Sequence, residues 1–400
     1  MNNVPKLRFK EFSEEWEAKL FGDIVTNKSK KYNPEKESIS YKCIELEHLS
    51  TESGQLLGYV DSLNLGSIKN KFNKNNVLFG KLRPYLKKYL LAPFDGVCSS
   101  EIWVLNGINI TNFFLYYLVQ SDYFIGLANQ SSGSKMPRAD WNIIENSIFF
   151  IPQKQEQEKI ASFLTSVDTK IEQITKKEEL LQQYKKGVMQ KIFNQEIRFK
   201  ADDGSEFCEW EEKKLEDLIE RTSTGLNPRQ NFVLGSGLNY YVTIKNIKNG
   251  NLDFSSCEMI DDEALTLIHR RSQIQKNDII MSSIGNIGES YLIKENPTNW
   301  DINESVFMLR PNSKVVPKYL YYTITGYKAK QYFENNSTGS SFTSIKLNTL
   351  KIMPVTVSCL EEQTKIANFL SEIDFKIEQV KKYMKSIKDL KKTLLKELII

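Results

Sequence analysis

Residues 155–174 read Q-E-Q-E-K-I-A-S-F-L-T-S-V-D-T-K-I-E-Q-I, and residues 361–380 read E-E-Q-T-K-I-A-N-F-L-S-E-I-D-F-K-I-E-Q-V. Twelve of the twenty positions are identical at a constant offset of 206, and the pairs Val167/Ile373 and Ile174/Val380 exchange one β-branched residue for another. Chance does not produce such a match over this length. The chain carries an internal duplication, and that sets the frame for everything else.

Within the first copy Ile160, Val167, Ile174, Leu181 and Val188 recur every seven residues. Leu164, Ile171 and Ile192 take the second seam position, which Glu178 and Lys185 interrupt. The second copy repeats the pattern with Ile366, Ile373, Val380, Ile387 and Leu394, and with Leu370, Ile377, Met384, Lys391 and Leu398. Five heptads of this spacing predict two long helices that pair as a coiled coil. The competing expectation is two separate amphipathic helices, each packed on its own domain. Pro152 and Pro354 stand ahead of the helices, and neither helix contains a proline.

Fainter echoes run upstream of each copy. Leu7-Arg8-Phe9-Lys10 recurs as Ile197-Arg198-Phe199-Lys200, followed by Trp16 and Trp210 respectively. Asn33-Pro34 matches Asn227-Pro228, and Phe114-Leu115-Tyr116-Tyr117 matches Tyr319-Leu320-Tyr321-Tyr322. The offset drifts from 190 to 206 among these pairs, so insertions differ between the halves while the helical segments hold register. Four segments follow: a variable domain at 1–152, a helical spacer at 153–195, a second variable domain at 196–355 and a second spacer at 356–400. The variable halves read as mixed α and β. Residues 240–244, 278–281 and 306–309 resemble strands, residues 113–124 and 318–333 resemble helices, and Gly-Ser loops lie near residues 131–134 and 337–341. The fold class is α+β with a pseudo-twofold internal repeat.

Lys plus Arg number 54 against 50 for Asp plus Glu, a formal net charge of +4, which excludes a polycationic tail but not basic faces. No apolar run reaches the ~18 residues of a membrane span, and the first residues, MNNVPKLRFKEF, lack a signal-peptide core, so a cytoplasmic protein is expected. The cysteines (Cys43, Cys98, Cys208, Cys257, Cys359) form no C-x-x-C pair, and with only His48 and His269 a zinc site is not expected. Both histidines read as buried or incidental.

Catalytic signatures are missing from the sequence. There is no G-x-x-x-x-G-K-[ST] phosphate loop, no Asn-Pro-Pro-aromatic methyltransferase motif and no G-x-S-x-G elbow. Between Asp61 and Asp95 lie seven basic and no acidic residues: Lys69, Lys71, Lys74, Lys81, Arg83, Lys87 and Lys88. A second acid-free window, between Glu220 and Asp253, holds Arg221, Arg229, Lys245 and Lys248. A third, between Glu304 and Glu334, holds Arg310, Lys314, Lys318, Lys328 and Lys330 with five tyrosines. Such windows, one set in each half, suit phosphate contacts and base-edge reading in DNA.

In this arrangement the chain resembles the specificity subunit of bacterial type I restriction–modification enzymes over essentially its whole length. The resemblance rests on the alternation of two variable domains with two similar helices, on the Gly-Ser loops, and on a closing motif. That motif is Ile151-Pro152 with Glu156-Gln157-Lys159-Ile160-Ala161-Phe163-Leu164, and Met353-Pro354 with Glu362-Gln363-Lys365-Ile366-Ala367-Phe369-Leu370. Neither copy has the common second proline after Pro152 or Pro354. The resemblance implies two target recognition domains that each read half of a bipartite, asymmetric site in double-stranded DNA. It implies an antiparallel coiled coil that sets their spacing. It implies that two modification subunits dock on the chain and that restriction subunits join them. It also implies that S-adenosylmethionine, ATP and magnesium belong to those partners and that this chain makes no bonds itself. A helix of ~35 residues spans roughly 50 Å, more than the 34–36 Å turn of B-DNA.

The expected DNA-contacting residues are Lys81, Arg83, Ser134, Lys135 and Arg138 in the first half. In the second they are Arg229, Lys245, Arg270, Arg271, Ser340, Ser341, Thr343 and Lys346. Two other classes of function compete: a single-chain methyltransferase or nuclease with an unrecognised site, and a coiled-coil scaffold that joins protein-binding modules.

Overall fold

The computed structural model describes residues 4–130, 136–229, 231–339 and 343–399. The two long helices of the duplicated segments run from Lys154–Phe193 and Leu360–Leu398. The chain divides into two compact units, one of Met1–Lys177 with Val380–Ile400 and one of Glu178–Gln379, so each unit holds part of both helices.

In the first unit the strands Val25–Thr26, Ile102–Gly107, Val77–Gly80 and Tyr89–Leu91 form an antiparallel sheet in that order. The runs I-W-V-L and V-L-F-G are apolar throughout because both faces of this sheet are covered. Val77, Phe79 and Leu105 pack on one side against Phe114, Phe124 and the long-helix residues Ile160 and Leu164. Leu78, Leu90 and Val104 pack on the other against Ile44, Phe72 and Cys98 of a second sheet. That second sheet contains a parallel pair, Lys42–Ile44 beside Gly96–Cys98.

The second unit repeats the plan. Its sheet orders Ile219–Thr224, Val306–Pro311, Ile279–Ser282 and Ser290–Leu292, and its smaller sheet again has a parallel pair, Asn239–Val242 beside Trp300–Ile302. Ile279, Met281 and Leu309 face the helices, while Ile280, Val306 and Met308 face the smaller sheet. Among the described residues the two units differ in their insertions. The helix Asp262–Ser272 lies between the strand Glu258–Ile260 and the strand Ile279–Ser282, where the first unit has the turn Ser62–Asn64 and the strand Lys69–Phe72.

The stretches at 113–124 and 318–333 are each two short helices, not one. Asn112–Leu118 gives way to Asp122–Ala128, whose first turn is capped by Ser121 accepting from the Phe124 amide at 3.2 Å. Pro317–Thr325 ends at Gly326, and Tyr327–Asn336 begins anew. A side chain that caps a new helix start competes with helix continuation.

The helix seam is packed within each unit. In the first, Ile160, Leu164, Ile174, Leu394 and Leu398 are buried, with Val167, Ile171, Val380, Met384 and Ile387 half-buried. In the second, Ile366, Leu370, Ile373 and Ile377 are buried against the half-buried Leu181 and Val188. The early part of the first helix meets the late part of the second through Asp168 and Lys391, and the converse holds for Lys185 and Asp374. The pairing is therefore antiparallel. It also resolves the competing expectation, since the ends of each seam pack on the domains as well as on the other helix.

Lys185 and Lys391, which interrupt the apolar seam, are the cross-helix partners themselves. Lys185 Nζ lies 2.6 Å from Asp374 Oδ1 and Lys391 Nζ lies 2.7 Å from Asp168 Oδ1. Tyr322 and Tyr117 donate to the same carboxylates at 2.7 and 2.9 Å. Each lysine also sits over its tyrosine ring.

The Glu-Gln pair of the closing motif is a buried junction between helix start and domain. Gln157 accepts from the Thr111 amide and donates to the Pro152 carbonyl, both at 2.9 Å. Gln363 accepts from the Val316 amide and donates to the Ser358 carbonyl, both at 2.8 Å. Glu156 receives a forked pair of bonds from Arg8 at 2.8 Å, and Glu362 receives one from Arg198 at 3.3 and 3.0 Å. Phe9 packs edge-on to Phe163, and Phe199 does the same to Phe369. The faint Arg-Phe echo in the sequence is thus the other half of this junction.

Candidate nucleic-acid interface

In both units one end of the four-stranded sheet is built by the same backbone pattern. The strand Val77–Gly80 runs out into Lys81, Leu82 and Arg83. The Lys81 amide donates to the Glu101 carbonyl at 2.9 Å, the Arg83 amide to Pro137 at 2.8 Å, and the Ala139 amide to Lys81 at 2.8 Å. The strand Ile279–Ser282 runs out into Ser283, Ile284 and Gly285 in the same way. There the Ser283 amide donates to Ser305 at 3.0 Å, Gly285 to Thr343 at 2.9 Å, and Ile345 to Ser283 at 2.9 Å. The bridges Leu82/Arg138 and Ile284/Ser344 complete the correspondence. Two segments distant in sequence are thereby laid side by side at the sheet end.

The turn needs a left-handed residue. Gly285 supplies φ +72° without cost, whereas the first unit places Arg83 there at φ +53°. A non-glycine residue in this region carries backbone strain, a feature concentrated at functional loops. Arg83 is exposed, and Tyr85 and Met136 beside it are half-exposed at 52% and 54%. Tyr85 belongs to the aromatics interleaved with the first basic window of the sequence, whereas Met136 carries no signal there.

The expected contact residues divide as follows. Lys81, Arg83 and Arg138 are brought together on the paired segments of the first unit. Arg138 is engaged by Glu101 at 3.0 Å, so its charge is partly neutralised within the fold. In the second unit Thr343 lies in the paired segment with its hydroxyl on the Gly285 carbonyl at 3.3 Å, and exposed Lys346 begins the helix Leu347–Lys351. Arg229 is exposed in the loop that leaves the strand Ile219–Thr224, and Lys245 is exposed on the turn Ile244–Asn246. Arg270 and Arg271 are exposed in the last turn of the Asp262–Ser272 helix, and Arg271 donates to Thr224 Oγ1 at 3.1 Å. Ser134, Lys135, Ser340 and Ser341 lie outside the described residues.

The acid-free windows of the sequence are only partly acid-free in space. Lys69 pairs with Glu45 at 2.5 Å and Lys71 with Glu37 at 2.6 Å, while Lys88 donates to the Leu46 carbonyl at 2.6 Å. Arg310 forms a buried fork with Asp278 at 2.8 and 2.9 Å, and Lys328 donates to the Phe193 carbonyl at 2.9 Å. These cations are engaged inside their own unit. The loop residues Arg83, Arg229 and Lys245 have the exposure that a phosphate contact requires, and Lys81 is half-buried beside Arg83.

Histidine 269, read from sequence as incidental, is clamped. Its Nδ1 lies 3.1 Å from Oδ2 of Asp301, which is fully buried and also accepts from Ser272 Oγ at 2.8 Å and the Ile302 amide at 2.7 Å. Burial pushes the Asp301 carboxyl above the usual carboxylate range, against the pull of these donors. His48 is structural: its Nδ1 accepts from the Glu45 amide at 3.0 Å within the turn it closes.

A duplicated two-sheet domain, each copy packed on parts of two long antiparallel helices, is the class of fold this chain presents. The chain matches the family described as type I restriction modification DNA specificity domain twice, over residues 13–183 and 208–389, and it belongs to that family. It is 25% identical to the type I restriction enzyme MjaVIII specificity subunit of Methanocaldococcus jannaschii, over 96% of this chain and 92% of that one. The fold is that of the type I restriction–modification S subunit from M. genitalium, with a TM-score of 0.56, 16% identity and 99% of each chain covered. A chain from a structure on complex assembly and conformational transition of the type I R-M system gives a TM-score of 0.58 at 16% identity, covering 96% of this chain and 97% of that one.

Proposed function

We propose that this chain is the sequence-reading, non-catalytic component of a type I restriction–modification complex, with each unit reading one half of a bipartite, asymmetric target in double-stranded DNA. The observation that carries this is the repeated loop pattern at the sheet end, Lys81–Arg83 against 137–139 and Ser283–Gly285 against 343–345, presented by two domains of different side chains. Identical backbone with different side chains reads two different sequences; identical side chains would favour a palindrome. The helix pair serves as spacer and as docking surface for two modification subunits, with restriction subunits joining them. S-adenosylmethionine, ATP and magnesium act on those partners, and the complex works in the cytoplasm. Among the described residues no helix is long and apolar enough to cross a membrane.

Co-expression with its modification partner, followed by genome-wide mapping of methylated adenine, tests the reading. A two-part motif with a fixed gap is the expected result. Methylation without a motif, or none at all, would overturn it.

A further inference from the structure

We propose that His269 reads a base in the half-site of the second unit and that Asp301 is its positioning residue. The inference rests on the reading of that unit's loop end as a DNA face. The Asp262–Ser272 helix ends beside the strand that leads into that face: Ser223 Oγ donates to the Ser272 carbonyl at 2.7 Å, and Arg271 bonds Thr224 Oγ1. Asp301 lies two residues before Asn303, whose carbonyl accepts from the Gly225 amide at 3.1 Å in the same loop layer. The clamped imidazole is thus seated at the margin of the proposed interface.

A surface histidine needs no buried carboxylate behind it. Here the carboxylate is completely enclosed while the His269 side chain is 51% exposed. Accepting from Nδ1–H, Asp301 selects one tautomer and leaves Nε2 as the ring nitrogen not engaged by the carboxylate. In the neutral ring Nε2 is an acceptor, matched to the amino groups of cytosine or adenine; in the protonated ring it is a donor, matched to O6 or N7 of guanine. Phosphate binding requires charge more than a fixed tautomer, and Arg270 and Arg271, exposed in the same turn, supply that charge. The fixed ring adds direction, which is what base reading requires.

The device has no counterpart in the first unit. Asp301 pairs in register with Tyr241, and the equivalent parallel pair there places Val97 beside Cys43. Among the described residues the first unit also lacks the helix that carries His269. A reading element private to one half suits an asymmetric target.

The experiment selects from a randomised duplex DNA library with the full-length chain bound to its modification subunit. His269→Ala is expected to flatten base preference by about 10-fold at one or two adjacent positions of one half-site, leaving the other half-site and the salt dependence unchanged. Asp301→Asn is expected to lose preference at the same positions, although His269 is still present. His269→Gln, which can bond Asp301 and still present a polar atom outward, is expected to recover part of it. An intact motif with uniformly weaker binding in the Ala and Asn variants would show that the pair only holds the helix to the sheet, and would overturn the proposal. A wild-type complex that selects no motif would instead overturn the DNA reading itself, and this inference with it. Thermal melting of each variant confirms that the compared proteins are folded.

Discussion

Asp168 in the first long helix and Lys391 in the second meet with Nζ 2.7 Å from Oδ1, at side-chain exposures of 24% and 12%. The Tyr117 hydroxyl holds the other carboxylate oxygen, so domain, first helix and second helix converge on one carboxylate. Burial pushes the Tyr117 phenol well above its ordinary pKa, keeping it a donor at all physiological pH. Removing one partner leaves the other poorly solvated, so Asp168→Ala is expected to lower stability by about 1–3 kcal/mol. The double variant Asp168→Ala/Lys391→Met restores an apolar seam and is expected to recover most of the loss. Urea denaturation decides this; a double variant as unstable as the single one would refute the coupling.

The forked Arg8–Glu156 and Arg198–Glu362 pairs are more enclosed, with the carboxylates 2% and 0% exposed. Glu362 also accepts from Trp210 Nε1 at 2.9 Å. Glu156→Gln or Glu362→Gln turns an amide donor toward an arginine that itself only donates. Each is expected to cost about 2–4 kcal/mol, read as a lower denaturation midpoint. A change below a few tenths would mean that the pair does not anchor domain to helix.

Arg83 separates stability from binding. Its left-handed backbone is strained with a side chain and relaxed with glycine, as Gly285 shows in the other unit. Arg83→Gly is therefore expected to leave stability unchanged or raise it by up to about 1 kcal/mol. The same variant is expected to weaken DNA binding and lower the slope of log K against log salt by about 1. Unaltered affinity and slope would remove Arg83 from the interface.

Asp301 makes a pH-dependent contribution of definite sign. Its folded-state pKa lies above the unfolded value of about 3.9, so the native state binds the proton more tightly than the unfolded chain. That stabilisation is complete below the unfolded pKa and is lost as pH rises through the raised folded value. Asp301→Asn lacks the titration. Its stability relative to wild type is expected to be most favourable near neutrality and to decline as pH falls toward 4. Thermal melts across pH 4–7 measure this, and a relative stability that improved on acidification would contradict the assigned direction.

The coiled-coil seam was legible because heptad spacing is local: residues seven apart share a helix face whatever the rest of the chain does. The Glu-Gln motif was visible as a repeat, but its role was not. The roles of Gln157 and Gln363 depend on the Thr111 and Val316 amides, which no spacing rule places beside them. The basic windows misled in part for the same reason. Lys69 and Lys71 have no acidic neighbours in sequence, yet Glu45 and Glu37 reach them across the sheet. His269 carried no signal at all, since it lies on the helix Asp262–Ser272 while its partner Asp301 lies 32 residues further on, in the strand Trp300–Ile302.

The sequence by itself determined the duplication, the two heptad helices and membership in a DNA-specificity family, because periodicity and repetition are written along the chain. Only the tertiary structure decided which charges are internal and which are offered outward. It joined Lys391 to Asp168 and Lys185 to Asp374, enclosed Arg310, and left Arg83 exposed and His269 half-exposed. The physical reason is that charge pairing acts through space at a few ångströms. Which groups come that close is set by long-range packing of sheets and helices, not by neighbours along the chain.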